Sequence, residues 1–250
     1  MALIGGQLGY RILRLIAPRS RPSLEGNGEG NSETKLEQCF GETFFQTIAG
    51  KIIVDFGCGV GEQSIEMAQR GAARVIGIDI QERLLESAKD KALQLGVSDR
   101  CVFTTSSSEL ADVVISKDAF EHFSDPGKIL NIMSSLVKPQ GYVLAAFGPT
   151  WLHPYGGHLF SVFPWSHLIF TENSQIRWRS DFKTDGATRF SEVAGGLNQL
   201  TISRFEKIVA ESHLRFEWLE TIPIRGISVF KTKLLREIGS SIVRCKLVLR

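Results

Sequence analysis

The sequence predicts an α/β fold: a doubly wound, mostly parallel seven-stranded sheet with helices on both faces and an aromatic lid inserted near the carboxyl ends of the strands. Three observations carry this. Short, β-branched apolar runs alternate with helical stretches from about residue 35 to 147, which is the rhythm of β-α-β units. A glycine-rich turn, Gly57-Cys58-Gly59-Val60-Gly61, joins the first such run to the helix behind it. The rhythm then breaks between 148 and 197, where aromatic side chains crowd together.

Taken in order, residues 1–34 read as a basic N-terminal segment and a linker. The first 24 residues hold Arg11, Arg14, Arg19 and Arg21 and no acid. Gly9–Ala17 has the spacing of a short amphipathic helix that packs on the domain, with a membrane-surface contact as the alternative. Residues 20–34, rich in Gly, Ser, Asn and Glu, read as a flexible linker. A single domain occupies 35–250. Lys35–Ile48 is expected to be helical. Lys51–Phe56 suits a strand buried on both faces. Gly61–Arg70 follows as a helix and Arg74–Asp79 as a strand. Gln81–Leu95 is a helix that stops at Gly96. Cys101–Thr104 and Ala111–Ser116 are the third and fourth strands, Pro126–Val137 a helix ended by Lys138-Pro139-Gln140-Gly141, and Tyr142–Phe147 the fifth strand. Beyond the lid, Thr201–Ser212 is a helix, and Arg215–Ile222 and Ser241–Leu249 are strands.

Composition narrows the function. Hydrophobic residues make up 43% and charged residues 22% of the chain, as in ordinary soluble domains. A net charge of +2 gives no concentrated basic face for nucleic acid. The four cysteines, Cys39, Cys58, Cys101 and Cys245, have neither metal nor redox-pair spacing and read as reduced thiols of a cytoplasmic protein. No apolar run reaches the ~18 residues of a membrane span.

The glycine turn is the most informative segment. Gly57 and Gly59 let the chain turn sharply and approach a ligand with no Cβ in the way, and Gly61 permits close helix–strand packing. The spacing is G-x-G-x-G, whereas dinucleotide binders use G-x-G-x-x-G to seat a pyrophosphate on a helix N-terminus. Asp79 closes the second strand 18 residues beyond Gly61, where an acid accepts hydrogen bonds from both hydroxyls of a ribose.

The series VDFGCGVGEQS, VIGIDI, ADVVISKDAFEHF and LVKPQGYVLAAF resembles the motifs of class I S-adenosylmethionine (SAM)-dependent methyltransferases, of the type 11 kind. The resemblance covers roughly residues 50–148, with a weaker tail over 198–250. It implies a Rossmann-like fold, SAM as methyl donor and S-adenosylhomocysteine (SAH) as product. It places Asp55, Gly57, Cys58, Gly59 and Gly61 around the methionyl end and Asp79 and Ile80 at ribose and adenine. Relatives carry an acid after the third strand at the adenine amine. Here that stretch reads Thr105-Ser106-Ser107-Ser108-Glu109, which makes Ser107, Ser108 or Glu109 the expected contact. Ser116 and Lys117, at the end of the fourth strand, are expected beside SAM. Glu121-His122 resembles the Glu-His pair of this group, with His122 a wall of the site, a base or a helix-end packing residue.

The lid supplies the acceptor side. Eleven of the 23 aromatic residues lie between Tyr142 and Phe190, together with His153, His158 and His167, which suits a cover over a small-molecule pocket. The Pro154-Tyr155-Gly156-Gly157 turn is expected to aim His153 and His158 at one point, where either is a candidate base. No fixed metal spacing is present, so no metal site is expected. Trp151, Tyr155 and Trp165 are candidate pocket walls. Arg177, Arg179 and Arg189 either meet an anionic acceptor group or lie on a solvated face, and Arg177 is the candidate contact. The expected activity is methyl transfer from SAM to an oxygen, nitrogen or carbon of a small, aromatic or apolar acceptor. The alternatives are an NAD-dependent oxidoreductase and a catalytically silent SAM-binding module.

Overall fold

The computed structural model describes residues 2–18, 34–193 and 196–250. The expected linker, 20–34, falls almost entirely outside them. Seven strands form one sheet: β1 Ile52–Phe56, β2 Arg74–Ile78, β3 Cys101–Thr104, β4 Ala111–Lys117, β5 Val137–Phe147, β6 Leu214–Pro223 and β7 Ser240–Leu249, in the order β3-β2-β1-β4-β5-β7-β6. Strands β1 to β5 are parallel, and β7 runs antiparallel between β5 and β6. This is the mixed, mostly parallel seven-stranded sheet that the sequence predicts.

The helices are α1 Gly6–Ile16, α2 Lys35–Phe40, α3 Phe44–Ile48, α4 Glu62–Gln69, α5 Glu82–Gln94, α6 Pro126–Leu136, α7 Ser166–Ile169, α8 Glu172–Arg179, α9 Ile202–Ala210 and α10 Arg236–Gly239. Two apolar layers sandwich the sheet, because buried strands must cover both faces. On one side Leu130 and Met133 of α6 and Phe205 and Val209 of α9 pack on Val54, Val114 and Val143. On the other, Ile65 and Met67 of α4 and Leu85 and Ala88 of α5 pack on Ile53, Val75 and Val113 with Phe44 and Ile48 of α3.

Two element boundaries differ from the sequence reading. The helix expected over 35–48 is broken at Gly41, whose φ is +97°; Thr34 starts α2 with a capping box, its hydroxyl accepting from the Glu37 amide. Lys138–Gly141 is not a loop but the start of β5, where Val137 pairs with Ala111 across a bulge; Lys138 is held by Asp112 at 2.8 Å. The link from β3 to β4, residues 105–110, contains no helix.

The lid has a core of its own. Phe160, Phe170, Trp178 and Phe190 pack with Leu13 and Ala17 of the N-terminal segment. Ile4 forms a parallel bridge to Phe170, and the Trp178 indole donates to the Ala17 carbonyl at 2.8 Å. Residues 2–17 are thus built into the lid rather than set apart from the domain, and Ala17 ends α1 with its amide on Leu13. Among the described residues no helix is long and apolar enough to cross a membrane.

Candidate active site

Parallel strands end at one edge of the sheet, and the loops that leave β1, β2 and β4 there form the site. After β1, Gly57, Gly59 and Gly61 all take positive φ, +84°, +53° and +73°. Their surroundings differ. A Cβ on Gly61 would stand 2.7 Å from Phe103 and 2.8 Å from Ala88, so this glycine lets α4 sit on the sheet. A Cβ on Gly57 would meet Ala119 at 2.9 Å, whereas one on Gly59 would meet nothing within 4 Å. Gly59 is therefore the backbone position open to a ligand.

Two acids hold this loop. Asp55 is buried and accepts from the Ser64 hydroxyl at 2.6 Å, tying β1 to α4. Burial raises its carboxyl to about 6, with Asp79 nearby acting in the same direction. Asp79 accepts from the amides of Gly59 and Gln81, each at 2.9 Å. It thus joins the glycine turn to the end of β2. Ile80, next to it, is 89% exposed, a bare apolar side chain at the strand end. The Cys58 thiol is pushed far up by burial and nearby carboxylates and is not a nucleophile here.

The expected adenine contacts divide. Glu109 pairs with Arg74, the first residue of β2, at 3.1 Å. It therefore lies at the amino edge of the sheet, opposite the glycine turn, because the short 105–110 link has already returned the chain to the start of β4. This removes Glu109 from the cofactor set. Ser107 caps the Glu109 amide with its hydroxyl at 3.1 Å, and Ser108 remains in the same link.

At the end of β4, Ser116 is buried with no partner for its hydroxyl, and Lys117 pairs with Asp118. Asp118 takes φ +53°, turning the chain so that Glu121 and His122 face the lid. Asn198 fixes this turn: its amide nitrogen donates to the carbonyls of Phe120 and Phe123 at 2.6 and 2.7 Å. Glu121 is buried; one carboxylate oxygen accepts from the Gly148 amide at 3.3 Å, and the other has no partner. Burial raises its carboxyl to about 7, against the pull of His122.

The lid histidines do not converge as expected. His158, in a left-handed conformation at φ +51°, lies beside His122 with ring centroids 5.3 Å apart and the rings tilted by 56°. His153 instead packs on Tyr155 and accepts the Tyr155 amide on Nδ1 at 3.0 Å. That bond puts the proton of the neutral ring on Nε2, so His153 has no free lone pair and the base role expected of it fails. His167 bonds through both nitrogens, to Ser161 and to the Trp151 carbonyl, and is structural. His122 is the reverse of His153: its Nδ1 faces the Gly196 carbonyl at 2.9 Å, which as the acceptor places the proton there and leaves Nε2 free. Burial lowers both His153 and His158 to about 4, so both are neutral at pH 7.

A cavity of about 280 Å³ opens beside His122, walled by Ser124, Phe190, Leu197, Asn198, Arg189 and Arg204. Neither Trp151, Tyr155, Trp165 nor Arg177 lines it. Trp151 is spent on the lid core against His167 and Phe190. Tyr155 and Trp165 are partly exposed, and the Trp165 indole is held by the Leu152 carbonyl. Arg177 turns to α1, donating to Gln7 at 2.5 Å and covering the Tyr10 ring, which takes it out of the acceptor set. Arg179 is buried in a pair with Asp185. Asn198, Ser124 and Arg204 escaped the sequence reading because they come from segments with no motif; only the fold brings them to His122.

Residues 49–149 match a family model described as a methyltransferase domain. The chain is similar to the ubiquinone biosynthesis O-methyltransferase of Neisseria meningitidis serogroup C (strain 053442), 39% identical over 103 residues, which are 38% of this chain and 43% of that protein. It is also similar to the ribosomal protein L11 methyltransferase of Aliivibrio fischeri (strain MJ11), 39% identical over 99 residues, 38% of this chain and 32% of that one. The match thus spans less than half the length of these curated relatives. The geranyl diphosphate C-methyltransferase from Streptomyces coelicolor A3(2) shares the fold, with a TM-score of 0.55 at 16% identity over 83% of this chain and 76% of that one.

Proposed function

We propose that the chain, whose residues 49–149 match a methyltransferase domain, is a SAM-dependent methyltransferase that acts on a small, aromatic or apolar acceptor held under the lid beside His122. The observation that carries this reading is the open approach to Gly59, flanked by Asp55, Asp79 and the bare side chain of Ile80. A nucleoside joined to a zwitterionic amino acid fits those groups: open backbone at Gly59 for close approach, an acid for its ammonium, an acid for its ribose and an apolar face for its adenine.

When bound, SAM supplies an activated methyl on sulfur, whose departure needs no proton. The protein's part is alignment and exclusion of water, which can supply several orders of magnitude. Asp55 sets the first turn of α4 through Ser64, and Asp79 sets the glycine turn, so the donor end is fixed by two carboxylates. At the acceptor end Asn198 holds the 120–123 turn, and His122 stands on the cavity wall with its Nε2 unengaged. Phe190 and Leu197 give that cavity an apolar patch for part of the acceptor, within a lining that is otherwise polar and charged, with Glu172, Arg189 and Arg204.

Calorimetry of the full chain with SAH should show one site, and Asp79→Ala should weaken it at least tenfold. Screening metabolites with methyl-labelled SAM identifies the acceptor. Absence of SAH binding, or label appearing only in protein or RNA, rejects the reading.

A further inference from the structure

We propose that Glu121, His122 and His158 form a site for one divalent transition-metal ion of the zinc class, at the junction of the β4 loop and the lid. Each residue brings one ligand atom, and these atoms lie within 4.8 Å of one another. The loop after β4 and the lid turn, far apart in sequence, are brought together here by the fold.

Two independent features point to a ligand between them. The free oxygen of Glu121 and Nε2 of His158 are both buried and unpartnered. A buried polar atom left unmet is destabilising, and one cation meets both. The other side of each of two ligands is already held, as metal ligands are held by an outer layer of hydrogen bonds. The Gly196 carbonyl fixes the proton of His122 on Nδ1 and turns Nε2 inward. The Gly148 amide fixes the second oxygen of Glu121.

The donor set selects the ion. Two imidazoles and one carboxylate suit zinc and its neighbours, whereas magnesium and calcium favour all-oxygen sites. Bonds of about 2.0–2.2 Å to a tetrahedral ion place ligand atoms about 3.4 Å apart, so binding draws the His158 turn inward by a small side-chain adjustment. Three protein ligands leave a fourth position open, as in catalytic zinc sites.

The use of that position rests on the methyltransferase reading. An acceptor hydroxyl there loses its proton to solvent on coordination. Its oxygen lone pair then forms the bond to the methyl carbon while the carbon–sulfur bond of SAM breaks, the electron pair staying on sulfur as SAH leaves.

The test uses the full chain, stripped with a chelator and titrated with Co²⁺. One equivalent should bind with the visible absorption of four-coordinate cobalt, be displaced by Zn²⁺ and raise the melting temperature. Glu121→Gln and His158→Gln should each weaken binding roughly tenfold or more while leaving SAH affinity intact, which also reports their folding. No cobalt spectrum with the unaltered chain, or binding unchanged in both variants, overturns the site. If neither variant folds, the titration of the unaltered chain decides. Failure to bind SAH would sink the methyltransferase reading alone, since the cobalt spectrum does not depend on it.

Discussion

Asp55 is held against its own preference. Its folded carboxyl titrates near 6, above the ordinary 3.8, because burial penalises the charge. Between pH 4 and 6 the native chain keeps a proton that the unfolded chain releases, so stability falls as pH rises through that window. Above pH 6 the full cost, about 3 kcal/mol, is in place. Asp55→Asn keeps the Ser64 contact without the charge. It should therefore melt higher than the parent at pH 7.5, with the gap closing toward pH 4, and bind SAH at least tenfold more weakly. Parallel melting profiles for the two proteins across that range would refute the cause given for the shift. The histidines give a second test. His122→Ala should lower methyl transfer about 100-fold or more, and His153→Ala less than tenfold, since the Tyr155 amide already occupies its lone pair. Equal losses would break the tautomer argument. That Asp55, Asp79 and the glycines meet at one strand edge was legible in the sequence because each stands at or just past the carboxyl end of a readable strand. The roles of His153 and His158 were not, because they depend on which way each ring faces once the lid is folded.

At the scale of elements, the glycine turn separates folding from binding. Gly59→Ala puts a side chain into open space, at the ordinary left-handed cost of about 1–2 kcal/mol, and should abolish SAH binding measured by calorimetry. Gly61→Ala adds a collision with Phe103 and Ala88 and should cost about 2–4 kcal/mol by denaturant titration. A milder loss at Gly61 than at Gly59 would contradict the packing role. The alternation of strand and helix was legible from 51 to 136 because each run is apolar on the faces it buries. The start of β5 was not: Lys138-Pro139-Gln140-Gly141 has the composition of a turn, and pairing with Ala111 overrides it. The 105–110 link misled in the same way. Its serines and Glu109 sit where relatives carry the adenine acid, yet with no helix to lengthen the path Glu109 is already at the far edge of the sheet, against Arg74.

At the scale of the molecule, the sheet is one body and the lid a second core laid over its edge. Removing residues 1–17 withdraws Leu13 and Ala17 from beside Trp178. The truncated chain should keep SAH affinity within about threefold, because the glycine turn lies in the sheet, while limited proteolysis should cut within 148–193 faster than in the full chain. Unchanged cleavage would show that α1 contributes nothing to the lid. The sequence marked the lid by its aromatic residues but read them as pocket lining; most of them, all but Tyr155 and Trp165, fill the lid itself, because an insertion of this size needs its own apolar interior.

The bridge from Ile4 to Phe170 also sets a timetable. A ribosome adds about 5–20 residues per second, so α1 waits roughly ten to thirty seconds before its partner strand is made. Over that interval Leu13 and Ala17 lack the cover that the lid gives them, and nascent-chain binding factors have time to engage them. The Ile4–Phe170 contact, which seats the cover over the cavity, therefore closes after the glycine turn and Asp79 have been made, and before β7 arrives to complete the sheet.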